Sequence, residues 1–214
     1  MTEYFKSHIL NNFSHGFFNR TGGVSNGEFA SLNCKFGRND SRLKIISNRA
    51  LVSKLMKIKF SHLITLKQIH SSDVVKIKKI IKADDIKGDS MVTSKEDICL
   101  GILTADCAPI LFGDPEKRII GAAHAGWRGL FFGVVENTIN NMIELGAKLE
   151  NICVAIGPCI QKKNYEVGPE FYKRFTDKNT SFHNYFTFDK NNKIWFDLPG
   201  LISFRLHSIG VKNI

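Results

Sequence analysis

The sequence predicts a single domain of α+β (mixed α/β) class, in which mixed β-sheets are covered by helices. Three observations point there. Helix-period and strand-like runs alternate along the chain, but too irregularly for a doubly wound sheet. The 214 residues, 43% hydrophobic and 23% charged, suit a globular protein with one substantial core. No repeat, low-complexity tract or linker-like stretch divides the chain, and only five prolines interrupt it.

Taken in order, residues 19–33 (NRTGGVSNGEFASLN) are rich in Gly, Ser and Asn and read as a loop. Residues 39–59 follow with apolar positions at Leu43, Ile46, Ala50, Leu51, Leu55 and Ile58, a spacing that predicts an amphipathic helix. Strand-like runs come next at 62–66, 73–79 and 98–104. APILFG and RIIGAAH read as two further strands around a DPEK turn at 114–117. Apolar residues at Phe131, Val134, Val135, Met142 and Leu145, with Thr138 among them, predict one helix over 129–145. ICVAIG at 152–157 reads as a buried strand, and 168–176 as a short helix. The stretch from Asp197 to Gly210 reads as a helix, opened by Asp197 and Pro199 and closed by Gly210.

Composition narrows the function. No apolar run approaches the roughly 20 residues that cross a bilayer. The N-terminus lacks an apolar core and a small-residue cleavage site, so the reading is a mature cytoplasmic protein without a membrane partner. Five widely spaced cysteines, an odd number with no CxxC pair, argue against a disulfide scaffold or a thiolate zinc knuckle. The net charge of +10 comes from dispersed lysines. Without an arginine-rich helix, finger spacing or GxxG clamp, it predicts a solvated face and no nucleic-acid partner.

The chemistry concentrates at strand ends. His70 follows the KQI run, Cys107 lies in TADCAPI, and His124 sits among small residues in AAHAGW. Two imidazoles and a thiolate would make a three-ligand zinc set with an open fourth position. Separations of 37 and 17 residues match no local metal finger. On the residues alone, plain packing for Cys107 and a satisfied structural role for His124 stay open. Arg128, ahead of Gly129, could offer an anion its guanidinium fork beside a helix start. RTGGVS at 20–25, with Arg20, Gly22 and Gly23, has the glycines of an anion-cradling turn but no Walker lysine. Asp106, read as part of a strand, should point away from its neighbour Cys107.

Taken together, RTGGVS, SLN, KQIH, DSMVT, TADCAPI, HAGWRG, GPCI and YEVG resemble the laccase-like, or multicopper polyphenol oxidase, family now associated with purine nucleoside phosphorylase activity. The resemblance implies a layered α/β/β/α domain over residues 1–214, with zinc held by His70, Cys107 and His124. It also makes Arg128 and the Arg20, Gly22 and Gly23 loop pocket residues for phosphate. The implied substrates are adenosine, inosine, guanosine and methylthioadenosine, cleaved with phosphate to a base and a (thio)ribose 1-phosphate. Adenosine deamination is implied alongside. The family pattern continues beyond GVKN with a CT and FSYRR-like segment that does not follow Ile214, so the expected domain lacks it. A true multicopper oxidase needs more histidines than the seven here, arranged partly as HxH pairs that this sequence lacks. Zinc is therefore expected, with copper less favoured. The alternatives are a metal-dependent amide hydrolase editing peptidoglycan precursors, and a metal-stabilised interaction protein without catalysis.

Overall fold

The computed structural model describes residues 3–37 and 39–214. Strands β1 (Tyr4–Phe5) and β2 (Phe17–Phe18) pair antiparallel at the N-terminus and lead into the 19–33 loop. Helix α1 spans Arg42–Leu55, as the spacing predicts, but it buries a different face. Leu43 is 76% exposed, whereas Ile45, Asn48, Arg49 and Ser53 are buried.

The reason is that α1 covers a loop rather than an apolar sheet. Buried loop backbone needs hydrogen-bond partners, and the helix supplies them. Asn48 Oδ1 accepts the Val24 N–H at 2.8 Å, while its Nδ2 donates to Ser25 Oγ and to the Ser31 and Asn33 carbonyls. Arg49 donates to the Cys34 carbonyl and to Asp84, both within 2.8 Å. Asn48→Ala is expected to cost about 2–4 kcal/mol of stability, because it orphans several buried groups at once. Urea unfolding checks this, and a loss below about 1 kcal/mol would contradict it.

Strand β3 (Leu63–Thr65) pairs in parallel with β6 (Cys99–Gly101). Between them in sequence lie β4 (Val74–Lys76) and β5 (Ser90–Thr93). Strands β7 (Ala108–Asp114), β8 (Ile119–Ala125) and β9 (Cys153–Ile156) complete a five-stranded mixed sheet in the order β4-β5-β8-β7-β9. The β7–β8 hairpin forms where the DPEK turn predicts it. There Asp114 Oδ1 accepts the Glu116 and Lys117 amides at 3.0 Å. Residues of β5 alternate between two cores, as strand periodicity requires. Val92 enters the large core built with the helices, and Met91 joins Ile64, Leu66, Ile77 and Ile98 of the smaller one. The β3–β6 pair thus lies against one face of the five-stranded sheet through the smaller core, and the helices of the large core cover the other face.

The helix expected over 129–145 is two helices, α2 (Trp127–Phe132) and α3 (Val134–Glu144). Gly133 breaks it at φ 95°, a left-handed conformation that glycine adopts without a Cβ clash. The carbonyls freed at the end of α2 find cations: Lys178 donates to Phe131 and Arg205 to Leu130. Strand β6 is also shorter than expected, stopping at Gly101. Leu103 spends both its N–H and its carbonyl on the Gln68 side chain, at 2.8 and 2.7 Å. Asp106 consequently lies in an exposed bend rather than a strand, so the alternation argument for where it points does not apply.

Beyond β9, β10 (Glu166–Val167), helix α4 (Pro169–Lys178), β11 (Phe186–Phe188) and β12 (Ile194–Phe196) form an aromatic-rich flank, with sheet order β10-β12-β11. Helix α5 (Leu198–Ile209) has the predicted ends. Asp197 accepts the Gly200 N–H at 2.9 Å, and Gly210 closes the helix at φ 105°. Among the described residues no helix is long and apolar enough to cross a membrane.

Candidate metal centre

The β7–β8 register builds most of the site. Ala108 faces Ala125, and Pro109 faces His124. Cys107 therefore stands one residue before the hairpin's open end, next to the Gly126 turn. His70 comes from the loop after β3, whose backbone takes a left-handed turn at His70, φ 59°. Gln68 ties this loop to the segment leading into Cys107 through its two bonds to Leu103. Gly129 lets α2 approach the same loop, since a Cβ there would stand 2.7 Å from the Ser71 carbonyl.

Among the described residues, His70, Cys107 and His124 form a cluster of potential metal ligands whose donor atoms all lie within 4.8 Å of one another. The Cys107 sulfur is 3.8 Å from His70 Nε2, and the two imidazole centroids are 4.7 Å apart at 78°. A tetrahedral ion with bonds of about 2.0–2.3 Å needs its donors roughly 3.3–3.6 Å apart, so a small contraction closes the set. Gly126 makes room for it. A Cβ there would sit 2.8 Å from the Cys107 sulfur and 3.0 Å from His70 Cδ2. The donor set and this cradle fit one divalent metal, with His124 buried and His70 exposed toward solvent.

Asp89, the first residue of the DSMVT motif, has no role assigned from the sequence but lies fully buried beside the cluster. Its carboxylate accepts from His124 Nδ1 at 2.8 Å and from the amides of Ile69, His70 and Ser71. Burial alone would raise the Asp89 pKa, but the bonds from His124, Ser71 and Ile69 hold it down at about 2. Burial disfavours the charged His124 ring too, yet Asp89 and the Cys107 sulfur outweigh it and lift its pKa to about 9. His70 is shifted down, by burial first and then by neighbouring His124, with the charges of Lys35 and Arg128 adding to the effect.

The other expected site residues divide. Arg128 is exposed in the first turn of α2, and its charge reaches His70. Lys35, which sequence reasoning passed over, does the same from the segment after the 19–33 loop. Arg20 shares a cavity of about 1960 Å³ with Lys35, His70, Cys107 and His124. Its Nε and Nη2 both donate to the Ala30 carbonyl, at 2.9 and 2.7 Å, so much of its fork closes its own loop. Gly23 gives its N–H to Ser31 Oγ, and a Cβ there would lie 2.2 Å from the Ser31 carbonyl. That glycine permits close packing inside the loop. Gly22 stands beside it with φ 85°.

The family described as multi-copper polyphenol oxidoreductase laccase matches residues 14–214. The chain belongs to this family. Within the laccase-like family it is 34% identical over 200 residues to a Deinococcus radiodurans protein named purine nucleoside phosphorylase, covering 94% of this chain and 76% of that one. A Rickettsia conorii protein of the same name is 34% identical over 172 residues, covering 80% of this chain and 70% of the relative. Two solved structures share the fold over 92% of this chain and 78% of their own. They are a Neisseria meningitidis protein, with TM-score 0.80 and 29% identity, and a Bacillus licheniformis protein, with TM-score 0.85 and 25% identity. The laccase-like family name carries copper chemistry with it, but the cluster found here has three ligands and suits a single ion.

Proposed function

We propose that this chain is a zinc-dependent purine nucleoside phosphorylase. The observation that carries the reading is the His70, Cys107 and His124 cluster opening into a wide cavity. The relatives named for that activity support it, one of them aligned along 94% of this chain. Two imidazoles and one thiolate form a donor set that zinc takes in catalytic sites, leaving a fourth position for water or substrate. When bound, such an ion supplies Lewis acidity toward a substrate donor atom.

The chain's own residues do the rest. The cavity excludes bulk water from one side of a bound nucleoside, and Lys35 and Arg128 set a positive field on the exposed side of His70. That field attracts phosphate and holds it near the sugar, which lowers the barrier by orientation and by charge stabilisation. A phosphate oxygen forms a bond to the anomeric carbon as the carbon–nitrogen bond to the base breaks. The base departs with that electron pair and takes up a proton. The products are a free purine base and a ribose 1-phosphate. Adenosine, inosine, guanosine and methylthioadenosine are the proposed substrates, and adenosine deamination is a further activity of the same site.

Base release from inosine, measured against phosphate concentration, tests the reading. Release is expected to saturate with phosphate, and Arg128→Ala is expected to raise the phosphate KM about 10-fold or more with a smaller effect on inosine. Release at equal rate without phosphate contradicts phosphorolysis and points to a hydrolase.

A further inference from the structure

Asp89 stands at the head of β5, between the two histidines of the cluster, with its side chain fully buried. Its Oδ1 accepts from His124 Nδ1 at 2.8 Å and from the His70 amide at 2.9 Å. Its Oδ2 accepts from the Ser71 amide at 2.7 Å, the Ser71 hydroxyl at 2.9 Å and the Ile69 amide at 3.1 Å. The Asp89 carbonyl also takes the His124 amide at 2.7 Å. A carboxylate offers about four lone-pair sites. With five donors converging on it, this one is saturated by protein and has no capacity left for substrate.

Three successive amides can aim at one anion only from a concave backbone, and a left-handed residue creates that concavity. His70 is that residue, at φ 59° and without glycine's freedom. The anion therefore compensates the turn that presents the first histidine. The same carboxylate fixes the second. With Nδ1 donating to Asp89, the nitrogen of His124 left to face Cys107 and His70 is Nε2. An outer carboxylate that takes the free N–H of a metal-bound imidazole orients the ring and raises its basicity.

We infer that Asp89 is a positioning residue that couples both histidines of the centre, setting the His124 tautomer and the His70 backbone through one carboxylate. The inference rests on the metal-binding reading of His70, Cys107 and His124. Asn at 89 keeps the size but replaces one acceptor with a donor that faces N–H groups.

Cobalt(II) binding to the full chain tests it, by titration and by the absorption of the cobalt–thiolate unit. Wild-type protein is expected to show that absorption, and D89N is expected to bind cobalt about 10–100-fold more weakly with an altered spectrum. If D89N melts at a lower temperature yet binds with wild-type affinity and spectrum, Asp89 is merely structural and the inference fails alone. If wild-type protein shows no cobalt–thiolate absorption, the metal reading fails and takes the inference with it. Should D89N not fold, nitrogen NMR of histidine-labelled wild-type protein with zinc decides the matter. A protonated Nδ1 on His124 supports the inference, and a metallated Nδ1 overturns it.

Discussion

Cys107→Ala and His124→Ala are each expected to lose the bound metal and to lower kcat/KM for purine release by about 1000-fold or more. That factor corresponds to about 4 kcal/mol of lost transition-state stabilisation. Three donor atoms within 4.8 Å define the site, and removing one leaves a pair that cannot close around an ion. The two variants should part company in stability. Cys107 is half-buried at the mouth of a hairpin, so its loss leaves little void. Truncating His124 instead empties a buried position and removes the imidazole bond to Asp89, which keeps its four donors from residues 69–71, at a cost of roughly 1–3 kcal/mol. Metal analysis, steady-state kinetics and urea unfolding on both proteins separate these effects. A Cys107→Ala protein with wild-type metal content would return the thiol to plain packing.

Gly126→Val is expected to weaken the centre as well, though less than loss of a ligand, from a residue that donates nothing to the metal. A Cβ at 126 would stand 2.8 Å from the Cys107 sulfur, closer than real Cβ contacts, and 3.0 Å from the His70 ring, tighter than most. Gly126 has φ −77°, so the demand is for space and not for unusual backbone. Cys107 and His70 must move apart to admit the side chain. Strain of about 1–3 kcal/mol, the usual cost of overpacking, converts to roughly 5–150-fold weaker metal binding. Gly37→Ala is the control, because a Cβ there meets nothing within 4 Å. Zinc affinity by chelator competition should fall for Gly126→Val and stay level for Gly37→Ala. Equal affinity in both would mean that the crowding around Gly126 does not control the site.

Much of this architecture is legible in the residues because local rules agree with the fold. The β7–β8 hairpin follows from alternating apolar strands about an Asp-Pro turn, and α5 from Asp197 and Gly210 at its ends. Gly133 carried a readable signal as well. A glycine inside a helical pattern costs about 1 kcal/mol relative to alanine, and here it marks the break between α2 and α3. The buried face of α1 was not legible, because periodicity assumes an apolar partner. The partner is the 19–33 loop, whose amides and carbonyls need Asn48 and Arg49.

The metal ligands show a similar limit. Separations of 37 and 17 residues say nothing of proximity until the hairpin register and the left-handed turn at His70 are known. The motif resemblance supplied what spacing could not. Asp89 escaped both, although an acid heading a fully buried SMVT strand is a detectable anomaly: such a charge demands partners. Lys35 escaped because nothing local distinguishes it from the other dispersed lysines.

On the proposed function, this cluster serves phosphate-dependent cleavage of purine nucleosides. Phosphorus NMR of zinc-loaded protein with inosine and inorganic phosphate tests it most directly. The expected result is a ribose 1-phosphate signal that grows in step with free hypoxanthine and fails to appear with Cys107→Ala. Hypoxanthine without ribose 1-phosphate, or no turnover by folded and zinc-loaded protein, would contradict the account.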